Sequence, residues 1–132
     1  MGDCDDLKHI TLLYAEDEEI IREMLAKFLR RRFKEVWLAD NGAKGVEIFL
    51  EKRPDIVLTD IEMPIMNGVE MIAKIKEIDT TIPCIVVTAY RDEAHQSHLA
   101  QAVVYKPVDN LALLETIQRV CRNHFQHSTE RV

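Results

Sequence analysis

Five short, continuously apolar runs, separated by longer amphipathic stretches, restrict this chain more than any other feature. They cover residues 10–15, 36–39, 56–59, 84–88 and 103–105. Each is too short for a globular helix and rich in β-branched residues, so each reads as a strand. Apolarity without alternation means burial on both faces, as in a parallel sheet covered by helices.

The stretches between the runs carry helical spacing. Ile20, Ile21, Met24, Leu25, Phe28 and Leu29 form one apolar stripe, and Asp17, Glu18 and Glu19 stand at its start, where carboxylates can cap free N–H groups. Val46, Phe49 and Leu50 indicate a second helix after Asn41-Gly42, and Val69, Ile72 and Ile75 a third after the breaker cluster of residues 64–68. Leu111, Leu114, Ile117, Cys121 and Phe125 indicate a long last helix capped by Asp109. Residues 91–102 are polar and lack a clean stripe. The alternation predicts an α/β domain, a parallel sheet with helices on both faces, over residues 8–125. Residues 1–7 then form an N-terminal extension, and residues 126–132 a tail or linker stub.

Charge and cysteine usage narrow the setting. Net charge is -6, which argues against a broad grip on nucleic-acid phosphates. No apolar run approaches bilayer length, and the acidic N-terminus lacks the pattern of a secretory signal, so no membrane contact is expected. Cys4, Cys84 and Cys121 include no C-x-x-C pair; Cys84 and Cys121 read as buried small hydrophobes in a reducing cytosol.

In an open parallel sheet, ligands bind beyond the carboxyl ends of the strands. Glu16 and Asp17 follow the first run, Asp60 follows the third, Thr88 ends the fourth, and Lys106-Pro107 follow the fifth. Alone, each has an ordinary explanation as a helix start, a loop residue, a strand hydroxyl or a surface lysine. Together they bring three carboxylates, a hydroxyl and an ammonium to one edge. Clustered carboxylates repel and call for a cation, and oxygen ligands with open positions suit Mg²⁺. A carboxylate can act as a nucleophile toward phosphorus, with a metal and an ammonium neutralising the phosphoryl oxygens. An ionised carboxylate needs no general base for that step.

The segments L-L-Y-A-E-D-E (12–18), D-I-V-L-T-D-I-E-M-P-I-M-N-G (55–68), I-V-V-T-A (85–89) and V-Y-K-P (104–107) resemble the receiver domain of bacterial response regulators. The resemblance extends over residues 10–125. It implies a doubly wound, flavodoxin-like sheet of order 2-1-3-4-5, and a cytoplasmic signalling domain rather than an enzyme. A sensor histidine kinase or histidine phosphotransfer protein would donate a phosphoryl group to Asp60, and the response would control a downstream effector protein or a fused output domain. By the same resemblance Asp17 and Asp60 bind Mg²⁺, Glu16 helps through water, and the Glu62 backbone carbonyl completes the protein ligands. Thr88 becomes the switch hydroxyl, Lys106 the partner of the phosphate through a cis Lys106-Pro107 bond, and Ile21 the docking anchor. Glu62 and Tyr90 hold the positions that tune phosphate lifetime.

The chain departs from the family pattern in one region. Val103 stands where an aromatic is usual, and the stretch between Thr88 and Lys106 is short by about one helical turn. Strand alternation puts Tyr105 on the face of Val103, so Tyr105 is the expected switch side chain, with Tyr90 the competitor. Two rival classes fit the residues less well. Haloacid-dehalogenase-like phosphatases need an Asp where Glu62 stands. A degenerate receiver acting only as an interaction scaffold would lack Asp60, Asp17 or Lys106. The pairs His95/His98 and His124/His127 offer two ligands each and read as surface residues rather than metal sites.

Overall fold

The computed structural model describes residues 6–89 and 98–130, the side chains of 125–130 excepted. Its elements are β1 (Thr11–Ala15), α1 (Glu19–Arg30), β2 (Glu35–Ala39), α2 (Gly42–Lys52), β3 (Ile56–Asp60), α3 (Gly68–Ile78), β4 (Cys84–Thr88), β5 (Ala102–Tyr105) and α4 (Asn110–Glu130). All strand pairs are parallel and the order is β2-β1-β3-β4-β5, as the resemblance implies. Most of the stretch 91–102 lies outside the described residues. No helix among those described is long and apolar enough to cross a membrane.

Strand alternation divides the core into two layers. Leu12, Tyr14, Ile56, Leu58, Ile85 and Val87 face α1 and α4, where they meet Leu25, Leu29, Leu113 and Ile117. Leu13, Ala15, Val57, Cys84 and Val86 face α2 and α3, where they meet Phe49, Met71, Ile72 and Ile75. Each fully buried aliphatic side chain contributes about 1.5–3 kcal/mol relative to leaving it in water. Cys84 and Cys121 are buried as expected.

The helix stripes are rotated from the sequence expectation. On α1 only Leu25, Ala26 and Leu29 are buried, whereas Ile20 and Met24 are 76% and 69% exposed. Six apolar positions span a wider arc than one helix can seat against a sheet. On α4 the buried line is Leu113, Ile117, Val120 and Cys121; Leu111, two residues before Leu113, falls on the far side and is 65% exposed. Leu50 on α2 is likewise exposed beside buried Phe49. Leu7, within the expected extension, packs into the core, and α4 continues through Glu130.

The helix starts follow their capping residues. Asn41 accepts from Lys44 N, Asn67 and Glu70 form a reciprocal capping box, and Asp109 accepts from Leu111 N. On α1, the N-cap Glu18 makes no side-chain bond; Glu16 reaches forward instead, accepting from Glu18 N at 3.2 Å. At the opposite edge, buried Lys76 donates to the Ile82 carbonyl and to Gln101 Oε1, which also accepts from Cys84 N. That network ties α3, β4 and the approach to β5.

The loop between β3 and α3 is held at two glycines. A Cβ on Gly68 would meet the Asp60 carbonyl at 2.0 Å, and one on Gly42 would meet the Met66 carbonyl at 2.3 Å. Between these contacts Ile65 has φ 71 and is 83% exposed, an unfavourable conformation for a β-branched residue. Ile65→Gly is expected to stabilise the protein by about 0.5–1 kcal/mol, the relieved strain exceeding the added chain entropy of glycine. Urea midpoints measure this, with Ile65→Val as the neutral control; a lower midpoint for the glycine variant would show that the loop imposes no strain.

Candidate functional site

β1 and β3 are neighbours at the centre of the sheet, with Ala15 paired to Thr59, so Glu16 and Asp60 emerge side by side. Glu16, Asp17 and Asp60 each place a carboxylate oxygen within 4.8 Å of the others, the only such triple among the described residues. Glu16 and Asp60 are buried, at 1% and 7% exposure, while Asp17 faces solvent. The expectation of convergence at this edge therefore holds for the carboxylates, and the explanation of Glu16 as a solvated helix start does not.

Lys106 completes the cluster from the other side. Its backbone N–H extends the β4–β5 ladder by donating to the Thr88 carbonyl, and the Lys106-Pro107 bond is cis. The ammonium lies 3.1 Å from Asp60 Oδ2 and 3.4 Å from Glu16 Oε1. Asp60 Oδ1 accepts from Ile61 N at 2.8 Å, so one oxygen is held by backbone and the other by a cation. Glu16 is fixed at both ends: its N–H donates to the Ala39 carbonyl, and its own carbonyl accepts from Arg22 at 2.9 Å.

Electrostatics follow from burial and crowding. Burial first, and then the Asp60 charge, push the Glu16 pKa up to about 7, with the Glu18 N–H and Lys106 pulling partly back. Burial works against the Lys106 charge, but Asp60 and Glu16 outweigh it and hold the ammonium above the ordinary lysine pKa. Three carboxylates facing one ammonium leave two formal negative charges uncompensated. An all-oxygen donor set with that excess fits a hard divalent cation such as Mg²⁺.

The remaining sequence candidates sort by position. Thr88 is buried at the end of β4 and pairs in register with Tyr105, which is half-buried. Glu62 is exposed, two residues past Asp60. Ile21 is 39% exposed. Tyr90 and His95 lie outside the described residues, as does the His127 side chain; His98 is exposed, and burial lowers the pKa of half-buried His124. Sequence reading passed over Tyr14 and Arg22. Tyr14 is buried, and burial, then Glu16 and Asp60, raise its pKa above the usual phenol value. With Glu16, Lys106 and Pro107 it lines a cleft of about 300 Å³ between α1 and the head of α4, which Ile21 and Met24 also border. Its position two residues before Glu16, on one strand face, was the available signal.

Comparisons with known proteins agree with this geometry. Residues 12–118 match the family described as the response regulator receiver domain. The chemotaxis protein CheY of Halobacterium salinarum is 31% identical over 113 residues, covering 83% of this chain and 94% of the relative. An uncharacterized response regulatory protein of Vibrio cholerae is 33% identical over 119 residues, 87% of this chain, which spans only 50% of that relative's length. A solved CheY-like receiver domain from Methanospirillum hungatei superposes with a TM-score of 0.84 at 24% identity, covering 90% of this chain and 98% of its own.

The raised Glu16 pKa gives a signed pH effect. The folded state holds the Glu16 proton more tightly than the unfolded chain, so the stability this group contributes is complete below pH about 4.5 and lost as pH rises toward 7. Glu16→Gln is therefore expected to stabilise the metal-free protein at pH 8 by about 1–3 kcal/mol, and to change little at pH 4.5. Urea unfolding in EDTA at both pH values tests this; equal effects at the two would mean the carboxylate is not under strain.

Proposed function

Because the chain belongs to the response regulator receiver domain family, we propose that it accepts a phosphoryl group on Asp60 from a sensor histidine kinase or histidine phosphotransfer protein. It then controls a downstream effector protein or a fused output domain. The supporting observation is the Asp60 carboxylate itself, one oxygen bonded to Ile61 N and the other facing Lys106 inside an acidic cluster. A scaffold without this chemistry would lack Asp17, Asp60 or Lys106, and all three are present. Receivers of this family are signalling domains that bind Mg²⁺ at an acidic pocket, typically in the cytoplasm.

In this reading Asp17, Asp60, Glu16 and the Glu62 backbone carbonyl would hold Mg²⁺. When bound, Mg²⁺ supplies positive charge against the phosphoryl oxygens. An Asp60 oxygen attacks phosphorus as the phosphorus–nitrogen bond of the donor phosphohistidine breaks, and the imidazole leaves with the electron pair and takes up a proton. Lys106 leaves its carboxylate partners to bond a phosphoryl oxygen, and the Thr88 hydroxyl bonds another. Tyr105, opposite Thr88 in the β4–β5 register, follows that hydroxyl as the switch side chain, and Ile21 anchors the donor.

Incubation with acetyl phosphate and Mg²⁺, followed by mapping of the adduct, is expected to label Asp60 alone. Asp60→Asn should abolish labelling, and Asp17→Ala should raise the Mg²⁺ requirement at least about tenfold, because Mg²⁺ sites have few ligands to spare. A full yield with Asp60→Asn excludes the reading. For the switch, Tyr105→Ala is expected to keep labelling but lose the beryllofluoride-induced spectral changes on β5; retention of those changes would reduce Tyr105 to packing.

A further inference from the structure

We infer that the cleft between α1 and the head of α4 binds a small uncharged molecule, an apolar ring-sized body carrying one carbonyl, and that this occupant restrains Lys106. The binding stands on the cleft alone, while its consequence for Lys106 rests on the phosphoryl-acceptor reading above. The polar groups of the cleft come from Tyr14, Glu16, Lys106 and Asn110. Its walls are apolar, with Met24 and Leu25 on α1, Val87 on β4 and Val108 ahead of α4.

The Tyr14 hydroxyl points to a ligand. Tyr14 is 2% exposed and makes no hydrogen bond among the described residues. A buried tyrosine ordinarily places its hydroxyl against a partner, and phenylalanine would fill the same core position without leaving a polar atom unpaired. Among the described residues, no side-chain oxygen or nitrogen that is sealed from solvent lacks a partner. The Tyr14 oxygen is therefore not sealed, and it opens into the cleft that the residue lines. Lys106 adds a second donor. Its ammonium has three N–H groups and two carboxylate partners, Asp60 and Glu16, which leaves one N–H to offer.

Charge selects the ligand. Three carboxylates against one ammonium leave the adjoining edge negative, which disfavours an anion. A cationic head would meet the Lys106 ammonium, and Glu16 has little to give it in return. Glu16 is 1% exposed, with Oε1 held by Lys106 and Oε2 by Glu18 N. An uncharged carbonyl oxygen accepts from both donors and brings no charge. The volume of about 300 Å³ is at the small end of ligand sites and suits one ring with a short substituent. A carbonyl that engages Lys106 competes with the phosphoryl oxygen for the same ammonium.

The test titrates the full chain, followed by NMR, with probes of one shape: acetophenone, benzoate, benzamidine and isopropylbenzene. Acetophenone is expected to bind saturably and at least about fivefold more tightly than each of the others. Tyr14→Phe should bring acetophenone to the level of isopropylbenzene, and Val108→Trp, which fills the cleft, should abolish binding. Equal binding of acetophenone and isopropylbenzene, or full binding by Tyr14→Phe, makes the phenol a packing group and overturns the site. Tighter binding of benzoate or benzamidine overturns the ligand class, and no saturable binding of any probe overturns the whole proposal. For Lys106, the acetyl-phosphate labelling rate of each protein with acetophenone is divided by its own rate without it. That ratio should fall at least about threefold in the unsubstituted chain and stay unchanged in Tyr14→Phe. An unchanged ratio in both overturns the restraint of Lys106. Failure of labelling in the unsubstituted chain without any probe removes the functional reading and leaves the binding result standing.

Discussion

Coverage of the central strands on both faces is the constraint on which the rest depends. Every residue of β3 and β4 is buried, and all but the first of β1. A one-residue slip would exchange the two core layers, so the register of these strands cannot drift. That rigidity keeps Glu16 and Asp60 adjacent although their charges repel. Two unit charges about 4 Å apart interact by about 4 kcal/mol at an intermediate effective dielectric, enough to separate groups on mobile loops. Here the repulsion is borne by the strand ladder and partly offset by Lys106, and it adds to burial, the larger cause, in raising the proton affinity of Glu16.

Double coverage of the strands also decides how much of the fold is legible in the sequence. Continuous apolar runs can be satisfied only by a doubly covered sheet, so the five strands and their class were legible from residues alone. Once the strand ends were located, Glu16, Asp17, Asp60 and Lys106 had to share an edge. Helix orientation was less legible because α1 and α4 carry more apolar residues than one packed face can use. Periodicity identifies a helix but does not say whether Leu111 or Leu113 points inward; the fit against Tyr14, Ile85 and Val87 decides that. Tyr14 was missed for a related reason. Inside an apolar run, a tyrosine looks like one more core residue, and only its neighbours give the hydroxyl a meaning.

The extra apolar residues are informative because packing does not account for them. Ile20 and Met24 gain nothing from burial in this chain, and exposed side chains of that size favour contact with another surface. Ile65 belongs to the same class: it is exposed, β-branched and held at positive φ on the loop that leaves Asp60. Folding alone would select a glycine or asparagine there. Residues that violate local preferences beside a charged cluster are where function, rather than stability, is expected to set the choice.

β5 differs from the strands beside it in a way that bears on how a signal could leave the site. None of its four residues is fully buried, whereas β3 and β4 are buried throughout. It is an edge strand, it is the shortest, and its ladder has a partner on one side only. Local opening costs least where buried contacts are fewest. β5 and the residue that follows it also carry two groups of the proposed mechanism on opposite faces, Tyr105 on the side of Val103 and the α2/α3 layer and Lys106 on the side of the α1/α4 layer. A displacement of Lys106 from Asp60 toward a phosphoryl oxygen would pull the same strand that positions Tyr105 beside Thr88. No separate relay is then required. Val103 and Tyr105 lie two residues apart on one face of this strand, and Lys106 follows Tyr105 at the acidic edge.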